Sequence, residues 1–227
     1  DDHANINKMG TFRTYTLKVE GNSITFRNLT IENNAARLGQ AVALHTEGDK
    51  LVFINCRILG NQDTIYTGAA GTRLYFVDCY IDGTTDFIFG PSTALFENCE
   101  IRSKTNSYVT AASTPKDIAV GYVFKNCRLT ADPGVDKVYL GRPWRPYAAT
   151  VFINCEMGKH IRPEGWHNWG KEENEKTARY AEYNSTGEGA AAAGRVKWAK
   201  QLTKKEAAQY DDLNYIYRMC SDWKPEN

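Results

Sequence analysis

The chain has 227 residues, with 28 basic and 27 acidic side chains, a net charge of +1, 42% hydrophobic residues and a mean hydropathy of −0.53. No run of about 18 apolar residues occurs, so no membrane-spanning helix is expected. No clustered basic excess of the kind that tracks nucleic acid is present either, so no nucleic-acid partner is expected.

Taken in chain order, the opening DDHANINKMG carries neither the basic nor the apolar region of a secretory signal. A short β-like run follows at 25–31, TFRNLTI, and its pattern returns as VFINCRI, YFVDCYI, LFENCEI, VFKNCRL and VFINCEM. Each copy reads Phe, any residue, Asn or Asp, Cys, any residue, then Ile, Leu or Met; Leu29 takes the cysteine slot in the first. The phenylalanines are Phe26, Phe53, Phe76, Phe96, Phe124 and Phe152, spaced by 27, 23, 20, 28 and 28 residues.

Self-similarity at such a period marks a solenoid, and short strands bounded by polar turns point to a parallel β-helix. Phe and Cys three apart would face opposite sides of a straight strand. A bend at the intervening Asn lets both point inward, and stacked amides at that bend can bond along the ladder. Cys56, Cys79, Cys99, Cys127 and Cys155 alternate with a leucine and therefore read as small buried hydrophobes. Cys220, outside the pattern, reads as free. After Phe152 the repeat fades, and TKKEAAQYDDLNYIYRM at 203–219 has a Thr-x-x-Glu capping box and helical spacing of apolar residues, which predicts a C-terminal helical cap.

The repeat sets two acidic turns in phase. GNQDTIY at 60–66 and GTTDFIF at 83–89 place Asp63 seven residues after Cys56 and Asp86 seven residues after Cys79. Strands in a sheet lie about 4.8 Å apart, so the two carboxylates should stack on consecutive coils. Two carboxylates so close resist joint ionisation, and one should hold its proton longer than the other. The same phase on the next coils holds Asn106 and Gly134, so the acidic pair belongs to one rung boundary. A single Asp-Thr is usually a turn bonding its own backbone; two in register suit a nucleophile or base beside a proton donor. No Gly-x-Ser-x-Gly elbow or glycine-rich phosphate loop competes, and His3, His45, His160 and His167 show no metal-ligand spacing, so no metal or organic cofactor is expected.

Four blocks, GQAVAL at 39–44, GNQDTIY at 60–66, GTTDFIFG at 83–90 and YLGRPW at 139–144, occur in the order of the signature blocks of pectin methylesterases, and the chain resembles that family over most of its length. Thr85 stands where the family often has valine. The resemblance implies a right-handed parallel β-helix hydrolysing methyl esters of polygalacturonate. It assigns Asp86 as nucleophile, Asp63 as acid and base, Gln62 and Gln40 as the oxyanion hole, and Arg142 as the residue orienting Asp86. Trp144 and Phe89 match aromatics lining the substrate cleft, and Tyr66, Tyr139, Trp166 and Trp169 are further aromatic candidates. It also implies methyl-esterified homogalacturonan as partner and a secreted, periplasmic or cell-surface location. A monomer is favoured. The expected organisation is one domain over 1–227, with a repeat core at 14–160, loops and cap at 161–227, and N-terminal coils of the family missing. Asn184, in NST, is a glycosylation acceptor in a host that performs the modification. A β-helix glycosidase or lyase on the same polymer, and a non-catalytic polysaccharide-binding solenoid, are the alternatives.

Overall fold

The computed structural model describes residues 4–5, 9–217 and 223–225. These form a right-handed parallel β-helix of three parallel sheets. The first sheet stacks Leu17–Val19, Leu44–Thr46, Ile65–Thr67, Ile88–Gly90, Tyr108–Ala112 and Tyr139–Gly141 in order. The second carries the phenylalanine runs, from Thr25–Arg27 through Leu51–Ile54, Arg73–Val77, Thr93–Glu97, Tyr122–Lys125 and Ala149–Ile153 to Arg179–Tyr183 and Lys200–Gln201. The third runs from Thr30–Glu32 to Glu156–Met157. Among the described residues no helix is long and apolar enough to cross a membrane.

The core follows from the repeat. Phe26, Phe53, Phe76, Phe96, Phe124 and Phe152 are paired in register and stack face to face, with ring centroids 4.4–4.9 Å apart and planes within 9°. Such stacking adds to the burial of each ring. The bend expected after each phenylalanine is present: Asn28, Asn55, Asp78, Asn98, Asn126 and Asn154 all have φ between +50° and +57°. Asn and Asp are the non-glycine residues that tolerate this left-handed conformation. It turns the following cysteine inward, so that Cys56, Cys79, Cys99, Cys127 and Cys155 are buried, each thiol donating to the carbonyl of the phenylalanine one coil back at 3.3–3.7 Å. The bend amides bond along the ladder where they adjoin, Asn55 to Asn28 and Asn184 to Asn154, both at 2.8 Å. Leu29, by contrast, is 44% exposed on the first of the described coils.

Two features of the C-terminal third go beyond the phenylalanine pattern. The repeat runs one coil further than its phenylalanines. Glu182 takes the phenylalanine slot opposite Phe152, and Asn184 takes the bend at φ +50°. That carboxylate is buried and satisfied by Arg195 through bonds of 2.8 and 3.0 Å and by the Trp166 indole at 3.1 Å. Trp166 in turn lies over Phe152 and stacks on Tyr180, closing the aromatic column.

The predicted terminal helix does begin with a complete capping box on Thr203 and Glu206, but it breaks into the short turns Lys204–Ala207, Ala208–Asp211 and Leu213–Ile216. Ile216 and Tyr217 pack on Val52, Tyr75, Leu95 and Val123, the outward side chains of the second sheet, and the Tyr217 hydroxyl donates to the Leu74 carbonyl at 2.7 Å. Those strands are apolar on both faces, so one face needs a cover. Cys220 lies outside the described residues.

Candidate active site

The site is built on the outward face of the first sheet and the turns that lead into it. Parallel pairing sets Ile65 opposite Ile88, which carries the shared register back to Asp63 and Asp86. The Asp63 amide donates to the Thr85 carbonyl at 3.0 Å, and the Asp86 amide to the Tyr108 carbonyl at 2.8 Å, so the two turns stack. Both aspartates are left-handed, at φ +67° and +50°. The glycine opening each motif is required by close approach: a Cβ on Gly60 would meet the Thr64 hydroxyl at 2.6 Å, and one on Gly83 would collide with Phe87.

Both carboxyls are buried, Asp63 to 7% and Asp86 to 6% exposure. Burial pushes both pKa values above the ordinary carboxylate range. For Asp63 the charge of Asp86 adds to this, and Asp63 lies well above that range. For Asp86 burial is opposed by Arg142, whose Nε donates to Oδ1 at 3.0 Å and whose Nη2 donates to Oδ2 at 2.7 Å. Of the two, Asp63 is therefore pushed further upward, while Arg142 favours the ionised form of Asp86. Arg142 leaves the strand Tyr139–Gly141 with its amide bonded to the Thr110 carbonyl, and its guanidinium is sandwiched 3.9 Å from the Tyr108 ring and 3.8 Å from Trp169. Such a fork holds a carboxylate in one rotamer.

Asp63, Asp86 and Arg142 share a cavity of about 200 Å³ with Gln40, Gln62, Phe89, Trp144 and Trp169. Among the described residues no hydrogen bond engages either glutamine amide, whereas the backbone of the two is tied together by Ala41 N–H donating to the Gln62 carbonyl at 3.0 Å. Tyr66 and Phe89 stand side by side in one register row and stack at 4.8 Å. With Trp144 and Trp169 they form a small apolar cluster outside the main core.

Two of the aromatic candidates fall elsewhere. Trp166 is 1% exposed and belongs to the core described above, although Trp169, three residues on, faces the cavity. Tyr139 stacks on Tyr108 at 5.4 Å, one strand beyond the cavity. Residues that the repeat did not flag complete the wall: Thr11 and Phe12 from a short turn, Phe12 lying 4.6 Å from the Tyr66 ring, and Ala111 beside Phe89 in the sheet. Phe12, 45% exposed and outside any repeat, leaves no signal in the sequence beyond an apolar residue in a polar segment. Among the described residues no group of three or more His, Cys, Asp or Glu is arranged to hold a metal.

The model of the pectinesterase family matches residues 2–219. The chain belongs to the pectinesterase family. It is 42% identical over 209 residues to Pectinesterase 31 of Arabidopsis thaliana, an alignment covering 91% of this chain and 65% of that protein. Among solved structures, a pectin methylesterase from carrot superposes with a TM-score of 0.86 at 33% identity, covering 92% of this chain and 69% of that one. A pectin methylesterase in complex with a hexasaccharide superposes with a TM-score of 0.82 at 30% identity, covering 97% of this chain and 76% of that one. The chain thus spans less than two-thirds of the length of Pectinesterase 31.

Proposed function

We propose that this pectinesterase-family chain hydrolyses the methyl esters of polygalacturonate, releasing methanol and a more acidic polymer. The observation that carries the reading is the carboxyl pair, stacked in register, with one member clamped by Arg142 and the other left to hold the proton. Asp86, ionised, attacks the ester carbonyl carbon. The tetrahedral oxyanion is met by the Gln40 and Gln62 amides, neutral donors with no other engagement among the described residues. Collapse expels methoxide, which takes the Asp63 proton and leaves as methanol, while Asp86 remains as an acyl anhydride. Asp63, now a carboxylate, accepts a proton from the water that cleaves the anhydride, and the pair returns to its starting state. Phe89, Trp144, Tyr66 and Trp169 offer flat apolar surface to the sugar faces. A polymer of this kind places the activity outside the cytoplasm, at a cell surface or wall.

The test is methanol release from highly methylated pectin by the wild type and Asp86→Asn in parallel. The wild type should release methanol without shortening the polymer, and the folded variant should release none. New reducing or unsaturated ends would instead assign chain cleavage, and polymer binding without turnover would assign a binding solenoid.

A further inference from the structure

We propose that His167 is a positioning residue for the reactive carboxylate: its Nδ1 holds the backbone of Trp169, and with it the indole that backs Arg142 against Asp86. The inference rests on the reading of Asp86 as nucleophile, and it names a residue that neither the repeat nor the signature blocks contain.

The chain of contacts is short. Trp169 N–H donates to His167 Nδ1 at 3.0 Å. Trp169 is held at φ +64°, a left-handed conformation that a bulky aromatic rarely adopts and that neighbouring bonds must therefore enforce. The same loop is pinned by Gly170 N–H to Asn168 Oδ1 at 2.8 Å and by Asn168 Nδ2 to Glu175 at 2.7 Å, but only His167 bonds the Trp169 amide itself among the described residues. In this pose the indole lies 3.8 Å from the guanidinium carbon of Arg142, opposite Tyr108 at 3.9 Å. Both faces of the fork are therefore covered, and its edge is directed at the two Asp86 oxygens. His167 is fixed to the scaffold at its other end: its amide donates to the Gly141 carbonyl at 3.1 Å, next to Arg142 in the chain, and its ring packs on Tyr108 and Tyr139 at 5.5 and 5.3 Å.

The bond requires an unprotonated Nδ1, hence a neutral ring with its hydrogen on Nε2. The surroundings favour that form. Burial and the guanidiniums of Arg142 and Arg162 press the imidazole below its ordinary pKa, while Glu164 and Glu175 share the groove beside it and the phenols of Tyr108 and Tyr139 flank it. A protonated ring would set N–H against N–H at Trp169 and add a third positive charge beside the two arginines.

Three variants separate positioning from mere packing. His167→Phe keeps a flat ring between Tyr108 and Tyr139 without an acceptor. His167→Gln places its amide at the far edge of the ring without an acceptor at the δ position, and His167→Asn restores an acceptor oxygen near Nδ1. The readout is the titration of the Asp63–Asp86 pair followed by carboxyl ¹³C NMR, with thermal unfolding recording the fold. Loosening the Arg142 clamp raises the lower of the two carboxyl steps, by roughly one pH unit, in the Phe and Gln variants. The Asn variant should titrate like the wild type, and the acid limb of kcat/KM for methanol release should move with the lower step. A folded Phe or Gln variant whose lower carboxyl step coincides with that of the wild type overturns the inference, as does an Asn variant displaced as far as the other two. A wild type that releases no methanol overturns the functional reading alone, because the carboxyl titration still decides the role of His167.

Discussion

Replacing Arg142 by lysine keeps the positive charge beside Asp86 but removes the geometry that uses it. The guanidinium makes two parallel bonds, of 3.0 and 2.7 Å, to a carboxylate whose side chain is 8% exposed, and is itself 19% exposed. An ammonium on an unforked stem can supply one of these bonds. A hydrogen bond to a charged group contributes about 1.5–3 kcal/mol. Loss of stacking between Tyr108 and Trp169 costs a further ~1 kcal/mol at a largely desolvated site. Together these give about 3 kcal/mol, on the order of a hundredfold in rate if the clamp acts on the ionised, correctly rotated nucleophile. Burial already pushes Asp86 upward, and a weaker partner lets it rise further, so the acid limb should also move to higher pH. Initial rates of methanol release must therefore be taken across the whole pH range, and plateau values compared. A plateau rate for Arg142→Lys within about threefold of the wild type would refute this account of the clamp.

Two further variants test the same physics. Asp63→Asn fits the left-handed turn and mimics the neutral acid, so the fold should persist while methanol release falls about 10²–10⁴-fold through loss of proton transfer. The pKa of Asp63 is raised in the folded state above its unfolded value, so the native protein keeps a proton that the unfolded chain releases, and stability declines as pH rises from about 4 through the folded pKa. The asparagine variant escapes that penalty and should melt ~2–4 °C higher at neutral pH, by scanning calorimetry, with the difference vanishing in acid; a lower melting point at neutral pH would contradict the raised pKa. In the core, Phe96→Ala opens the middle of the ring column, between Phe76 at 4.7 Å and Phe124 at 4.6 Å, and should cost about 3–5 kcal/mol by urea unfolding. A loss under about 1.5 kcal/mol would mean that the column closes over the gap.

Much of this molecule is written in its repeat. The distance from Phe53 to Phe76 equals that from Asp63 to Asp86, so coil phase alone brings the two carboxylates together, and the Asn or Asp two residues after each phenylalanine, Asn55 and Asp78 on these coils, had to take a left-handed bend for Phe and Cys to share a core. What stayed hidden is equally specific. Glu182 conceals the next coil because a buried carboxylate stands where a phenylalanine is expected, and the pairing is intelligible only with Arg195 and Trp166 in place. Trp166 and Trp169 are alike in sequence, yet one closes the core column and the other backs Arg142.

The sequence by itself determined which residues stack on which, because in a β-helix register is local: each strand must sit on the previous one with its bends aligned, and a shift of one residue would turn the core outward. Only the tertiary structure decided what closes over that scaffold: Phe12 beside Tyr66, the 167–170 loop against the guanidinium, and the terminal turns along the flank of the second sheet. Those segments obey no repeat. Their positions follow from which apolar faces and polar groups the solenoid leaves uncovered, a property of the assembled surface that no short stretch of chain contains.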